Sequence, residues 1–126
     1  MPEEYTDLVE AMKALAQAED PEAEEPVLVT LPMAEDEWYT RPDTVSYGMI
    51  RLDFEVDALH GDNRKQVTAY EGSVDLFSMV RRGAGWVQMI ESTLTEHCDG
   101  AWRLNHHTYE RETGLYHWEW AFQIEG

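Results

Sequence analysis

The chain has 126 residues, 43 % of them apolar and 11 % aromatic, with five Trp; this is enough for one hydrophobic core and too little for two well-buried ones. Nine Lys and Arg stand against 26 Asp and Glu, a net charge of −17 that repels phosphate and anionic lipid alike, which argues against direct nucleic-acid binding and against a membrane surface. No apolar run approaches the ~20 residues that span a bilayer. The opening MPEEYTDLVEAM has no basic flank followed by an apolar run, and the single Cys98 can form no internal disulfide, so the expectation is a soluble protein kept in the cytoplasm.

Tyr5, Leu8, Val9, Met12, Leu15 and Ala16 recur at helical spacing, which predicts an amphipathic helix over 3–18 whose stripe needs a sheet to cover it. EDPEAEEP at 19–26 joins two Pro to five carboxylates, a composition that stops the helix and leaves a solvated acidic connector. Val27 to Leu31 is a β-prone run closed by Pro32, expected as a strand buried on both faces or lying at an edge. Residues 33–43, MAEDEWYTRPD, read as an exposed loop carrying Trp38 and Tyr39.

Next, Ile50, Leu52, Phe54 and Val56 alternate with Arg51, Asp53, Glu55 and Asp57, the pattern of a strand with one wet face. HGDN at 60–63 is a turn, and Thr68, Tyr70, Val74 and Leu76 share one parity beyond it, giving a long hairpin with Gly72 marking a bulge or a close approach. RRGAG at 81–85 breaks the strand. Trp86, Ile90, Leu94 and His97 or Cys98 then line one face of a second helix that ends at Asp99-Gly100. Ala101–Arg111 and Leu115–Ile124 form a terminal hairpin, with Tyr116, Trp118, Trp120, Phe122 and Ile124 alternating with more polar partners. The expected fold is α+β in a single domain over 1–126: an antiparallel-rich sheet of about five strands, two helices on one face and a long central hairpin.

For chemistry, His97, Cys98, His106 and His107 are the metal-ligating types closest in sequence. Adjacent residues on a strand point to opposite faces, however, and adjacent helical residues diverge by about 100°, so no pair converges locally. Asp53, Glu55 and Asp57 read as a solvated strand face. Ser73, in EGSVD, lacks the second Gly of a nucleophile elbow and precedes more strand. Gly83 and Gly85 precede a helix beside two Arg, a weak anion-binding pattern that reads more simply as a loop. No catalytic, cofactor or metal residue is assigned, and the expectation is a protein that is not an enzyme. The loop aromatics Trp38 and Tyr39 either anchor subunit contacts or fold back to cap the core.

Five phrases, YTDLVEAMKAL, the turn GDN, YEGSVDLFS, VQMIESTLTEH and the closing ETGLYHWEWAFQIEG, together with the order of elements, resemble the tail terminator (tail completion, minor tail) family of long-tailed bacteriophages and prophages over nearly the whole chain. The chain departs from the family pattern in the acidic connector at 19–26 and the loop at 33–43. The resemblance implies a structural virion protein, built in the host bacterial cytoplasm and carried in the virion tail. Its partners would be itself in a ring of six, the major tail tube protein and neck or head-completion proteins. A negatively lined lumen would let DNA slide past without sticking. Like-charged subunits repel, so the few cations must face carboxylates across the contacts; Arg64, Lys65, Arg81 and Arg82, with Trp38 and Tyr39, are the candidate contact residues.

Two other readings fit the same composition. An acidic surface could mimic DNA and inhibit a DNA-binding host enzyme, which predicts a monomer or dimer with carboxylates in two rows. A related head-completion or neck protein would share the ring and sit on the portal side.

Overall fold

The computed structural model describes residues 3–38, 40–59 and 65–125, and side chains within 3–38, 40–53 and 69–125. The expected α+β fold is present. Helix α1 (Glu3–Lys13) begins with Glu3 and Glu4 and ends with Lys13, charges that complement the helix dipole, and buries Tyr5, Leu8, Val9 and Met12. The predicted extension to residue 18 does not occur. Ala16–Ala18 is instead a strand, β1, paired antiparallel with β2 (Leu28–Thr30), and Leu31 N–H donates to the Leu15 carbonyl at 3.0 Å. Further helix would carry the chain away from β2 and leave that strand's backbone unpaired, a cost that outweighs the modest helical preference of Ala and Gln.

The acidic connector is therefore the loop of a hairpin. It is closed by Glu19 N–H on the Val27 carbonyl at 2.9 Å and turned by Asp20, whose Oδ1 accepts from Glu22 N–H at 3.0 Å. β2 is exposed along its length and lies at an edge, so the reading as a strand buried on both faces fails. The loop expected at 33–43 also needs correction at its start, because Met33–Glu35 forms β3, parallel to β4 (Ser46–Leu59), with Met33 buried. β5 (Lys65–Ser78) completes the central hairpin; the turn expected at 60–63 lies outside the described residues. A 3₁₀ turn over Gly83–Gly85 leads into α2 (Trp86–His97), and the terminal hairpin is β6 (Trp102–Glu110) and β7 (Leu115–Glu125). The main sheet runs β3-β4-β5-β7-β6, antiparallel except at β3–β4.

One core joins both helices to one face of the sheet, and it contains the alternating Trp118, Trp120, Phe122 and Ile124. Each large side chain taken fully out of water there contributes roughly 1.5–3 kcal/mol. Trp120, wholly buried, hands its Nε1–H to Glu91 Oε2 at 2.9 Å, so its one polar atom is satisfied. Gly72 meets both expectations for it. The register steps at Asp53 beside it, and a Cβ at Gly72 would lie 2.4 Å from the Arg51 carbonyl oxygen and 2.5 Å from Phe122 Cζ. Among the described residues, no helix is long and apolar enough to cross a membrane.

Candidate functional site

The face of the sheet away from the helices carries the densest set of polar and aromatic contacts. Its residues are the odd-numbered ones of β4, β5 and β7, brought level by the registers Tyr47↔Phe77↔His117, Met49↔Asp75↔Glu119 and Arg51↔Ser73↔Ala121. Rings stack along the first row: Tyr47 on Phe77 with centroids 5.0 Å apart, Phe77 on His117 at 4.2 Å, and His106 of β6 edge-on to His117 at 5.5 Å. Trp38 closes the other end, edge-on to Tyr47 at 6.1 Å, with its Nε1–H donated to the Gly48 carbonyl at 3.0 Å. The Arg41 guanidinium sits 5.5 Å from the Tyr47 ring centre. Burial raises the Tyr47 phenol pKa, against the opposing pull of Arg41.

Beside the rings, in the next rows of the same face, lies an ion cluster that shares His117 with them. Asp75, 2 % exposed, takes His117 Nε2 at 2.7 Å on Oδ1, while its Oδ2 has Arg51 as nearest cation at 3.7 Å. Arg51 also reaches Asp53 at 2.9 Å and Glu119 at 3.8 Å, and His117 Nδ1 faces Glu110 at 3.4 Å. Burial alone would lower the His117 pKa, but the hydrogen bond and charge of Asp75, helped by Glu110 and Glu119, outweigh it and raise the value.

Three chemical uses of this cluster can be weighed on geometry. Asp75, His117 and Glu119 offer ligand atoms within 4.8 Å of one another, as a cation site requires. The Arg51 guanidinium already holds that position between Asp75 and Glu119, so the trio has a resident cation. A nucleophilic triad fails on connectivity, because Ser73 donates its hydroxyl to Asp53 at 3.0 Å and not to His117. General-base catalysis fails as well, since both ring nitrogens of His117 face carboxylates that favour the imidazolium. The arrangement is an ion-paired lock between β4, β5 and β7, with Arg51 and His117 set among four carboxylates. Beside it an open trough of about 520 Å³ runs over Gly72 and Ala121, between Asp53 and Glu71 on one side and Arg103 and Asn105 on the other.

The residues singled out from sequence are scattered. Trp38 is half-buried and capped onto β4; Tyr39 and Arg64 lie outside the described residues, and Lys65 is described only as the first backbone residue of β5. Arg81 and Arg82 are exposed in the turn before α2. Cys98 is buried at the end of α2, where desolvation pushes its thiol up to about 12, and His107 stacks on Trp118 at 4.5 Å, so His97, Cys98, His106 and His107 form no common site. At Gly83–Gly85 the Gln17 side chain donates to the Ala84 carbonyl at 2.7 Å, filling the loop from the hairpin side. Arg51, Asp75, His117 and Glu119 went unassigned because only strand register brings them together. Their shared odd parity was the available signal.

Comparison with models of known protein families gave no match to this chain, and a search of curated proteins gave none either.

Proposed function

We propose that this chain is a structural protein of a tailed bacteriophage or prophage, a tail terminator whose copies close into a ring on the tail tube and join it to the neck. The observation that carries the reading is the β4–β5 arm. Among the described residues, pairing of β4 with β5 continues to Leu59↔Lys65, whereas β3 pairs with β4 only as far as Ile50 and β7, described as far as Glu125, pairs with β5 as far as Ala69. A two-stranded ribbon is marginal by itself in water, so an arm that outruns its own sheet is best accounted for by a neighbouring subunit that receives it. The charge of −17 supports the reading, because DNA passing through an acidic lumen is not retained.

The test is solution mass by light scattering across a concentration series, followed by negative-stain imaging with purified tail-tube protein. Rings, alone or at tube ends, are the expected result. A persistent monomer that ignores tubes sinks the reading and favours an acidic DNA mimic, for which the exposed carboxylates of the 19–25 loop would be the first surface to mutate. Binding to portal-side proteins in preference to tubes would point to a head-completion protein.

A further inference from the structure

Six of the eight exposed large apolar side chains among the described residues belong to two adjoining segments, Val27, Leu28 and Val29 on one and Val45, Met79 and Val80 on the other, where Met79 N–H donates to the Val45 carbonyl at 2.8 Å. Between the segments lies a groove of about 350 Å³. Its walls are residues 29–32 and 43–46, and Ala84 and the buried Trp86 complete its lining. Apolar exposure gathered in this way marks a docking surface.

Strand phase makes the groove a gap in a ladder. β3 runs parallel to β4 with Met33 opposite Gly48, and Gly48 N–H donates to the Pro32 carbonyl at 2.8 Å. Carried back by the same offset, Thr30 would face Val45, but no pairing forms there and the groove opens between the two walls. Glu19 N–H bonds the Val27 carbonyl and Leu31 N–H the Leu15 carbonyl, so with Gln17 opposite Val29 the odd residues of this stretch bond toward β1. Leu28 and Thr30 therefore turn N–H and C=O the other way, to the side on which Pro32 meets Gly48, and among the described residues they have no backbone partner there. Across the groove Val45 gives its carbonyl to Met79, so Thr44 and Ser46 face back toward β2. A row of free donors and acceptors on such an edge is what an added strand completes.

Charge selects the occupant. Residues 19–32, 43–46 and 79–86, which form and flank the groove, hold six carboxylates, Glu19, Asp20, Glu22, Glu24, Glu25 and Asp43, against only Arg81 and Arg82. A second copy would bring a net charge of −17 to this acidic rim, whereas a cationic segment is drawn to it. We infer that the groove docks an extended segment of a different protein, one in which apolar residues alternate with Lys or Arg. The segment adds as a strand to the free side of β2 and bonds to Leu28 and Thr30. Its apolar side chains enter over Ala84 and Trp86, and its cations turn toward Asp43 and the 19–25 loop. This contact is independent of the ring reading above.

The experiment is an amide NMR titration of the full chain, with fluorescence anisotropy for affinities, using a capped synthetic peptide of valine–lysine repeats as the probe. Saturable binding is expected, with the amides of Leu28, Thr30 and Ser46 shifting most. Val45→Lys, in the groove wall, should weaken it at least about tenfold, while Glu112→Lys, a larger change of charge in the turn of the terminal hairpin, should alter it by less than about twofold. Both side chains are exposed, and circular dichroism with thermal melts checks that each variant keeps its fold. A peptide of valine–glutamate repeats, and the valine–lysine peptide methylated on all its backbone nitrogens, should each bind at least about tenfold more weakly. No saturable binding up to millimolar peptide would overturn the site. Equal weakening by Val45→Lys and Glu112→Lys would also overturn it, reducing the binding to general attraction toward an acidic chain. Undiminished binding of the methylated peptide would overturn strand addition. Self-association of the wild type that Val45→Lys abolishes would overturn the choice of occupant and give the groove to a second copy.

Discussion

His117 Nε2 lies 2.7 Å from Oδ1 of Asp75, a bond between neighbouring strands in which the carboxylate is almost wholly buried. The folded-state pKa of His117 is raised, so the folded protein holds that proton more tightly than the unfolded chain. The resulting stability is fully present below the ordinary value of 6.5 and is lost as pH rises through the folded-state value. Urea unfolding should therefore show wild-type stability declining from mildly acidic to mildly alkaline pH. The decline should be absent in His117→Gln, and equal slopes for the two proteins would refute the assignment.

Arg51 serves as the cation of the cluster, and removing it should do two things. Asp75 Oδ2 is buried and accepts no hydrogen bond, so Arg51→Ala takes away the charge at 3.7 Å that offsets it, at a cost of about 2 kcal/mol; the loss is smaller than for a fully buried pair because Arg51 is itself 37 % exposed. The vacated place should then take zinc through Asp75, His117 and Glu119. At zinc about a hundredfold above its dissociation constant the variant's Tm should rise by about 10 °C while that of wild type stays put. An equal rise in wild type would mean that the guanidinium does not fill the site.

Gly72→Ala should be among the most damaging single-methyl changes in the chain. The new carbon meets backbone at 2.4 Å on one side and the Phe122 ring at 2.5 Å on the other, and backbone cannot step aside as a flexible side chain can. A loss of about 3 kcal/mol is expected from chemical denaturation. Gly100→Ala has open space around its Cβ and only a φ of +77° against it, so about 1 kcal/mol is expected there.

Trp38 is held within its own subunit by the Gly48 carbonyl and the Tyr47 ring. Trp38→Ala should accordingly lower the stability of the isolated subunit by about 2 kcal/mol, from lost burial plus one lost hydrogen bond. Unchanged thermal stability combined with lost assembly would reassign the ring to an intersubunit contact.

The sequence by itself determined the helical stripe of α2, the alternation of β7, the extent of the terminal hairpin and the wet face of β4 around Arg51. These are local properties: a period of 3.6 or 2 and a turn former can be read within one window of residues. It also showed that Gly72 was special. Only the tertiary structure decided that Ala16–Ala18 leaves the helix, because the alternative partner, β2, lies twelve or so residues away and helical preference there is weak. Tertiary pairing likewise turned Met33–Glu35 into a parallel edge strand. The cluster of Arg51, Asp75, His117 and Glu119 depended on it entirely. Each residue sits at an unremarkable outward position of its own strand, and a one-residue slip of β5 against β4 or β7 would send Asp75 to the other face. Cross-strand distances follow from long-range register, which no local pattern encodes.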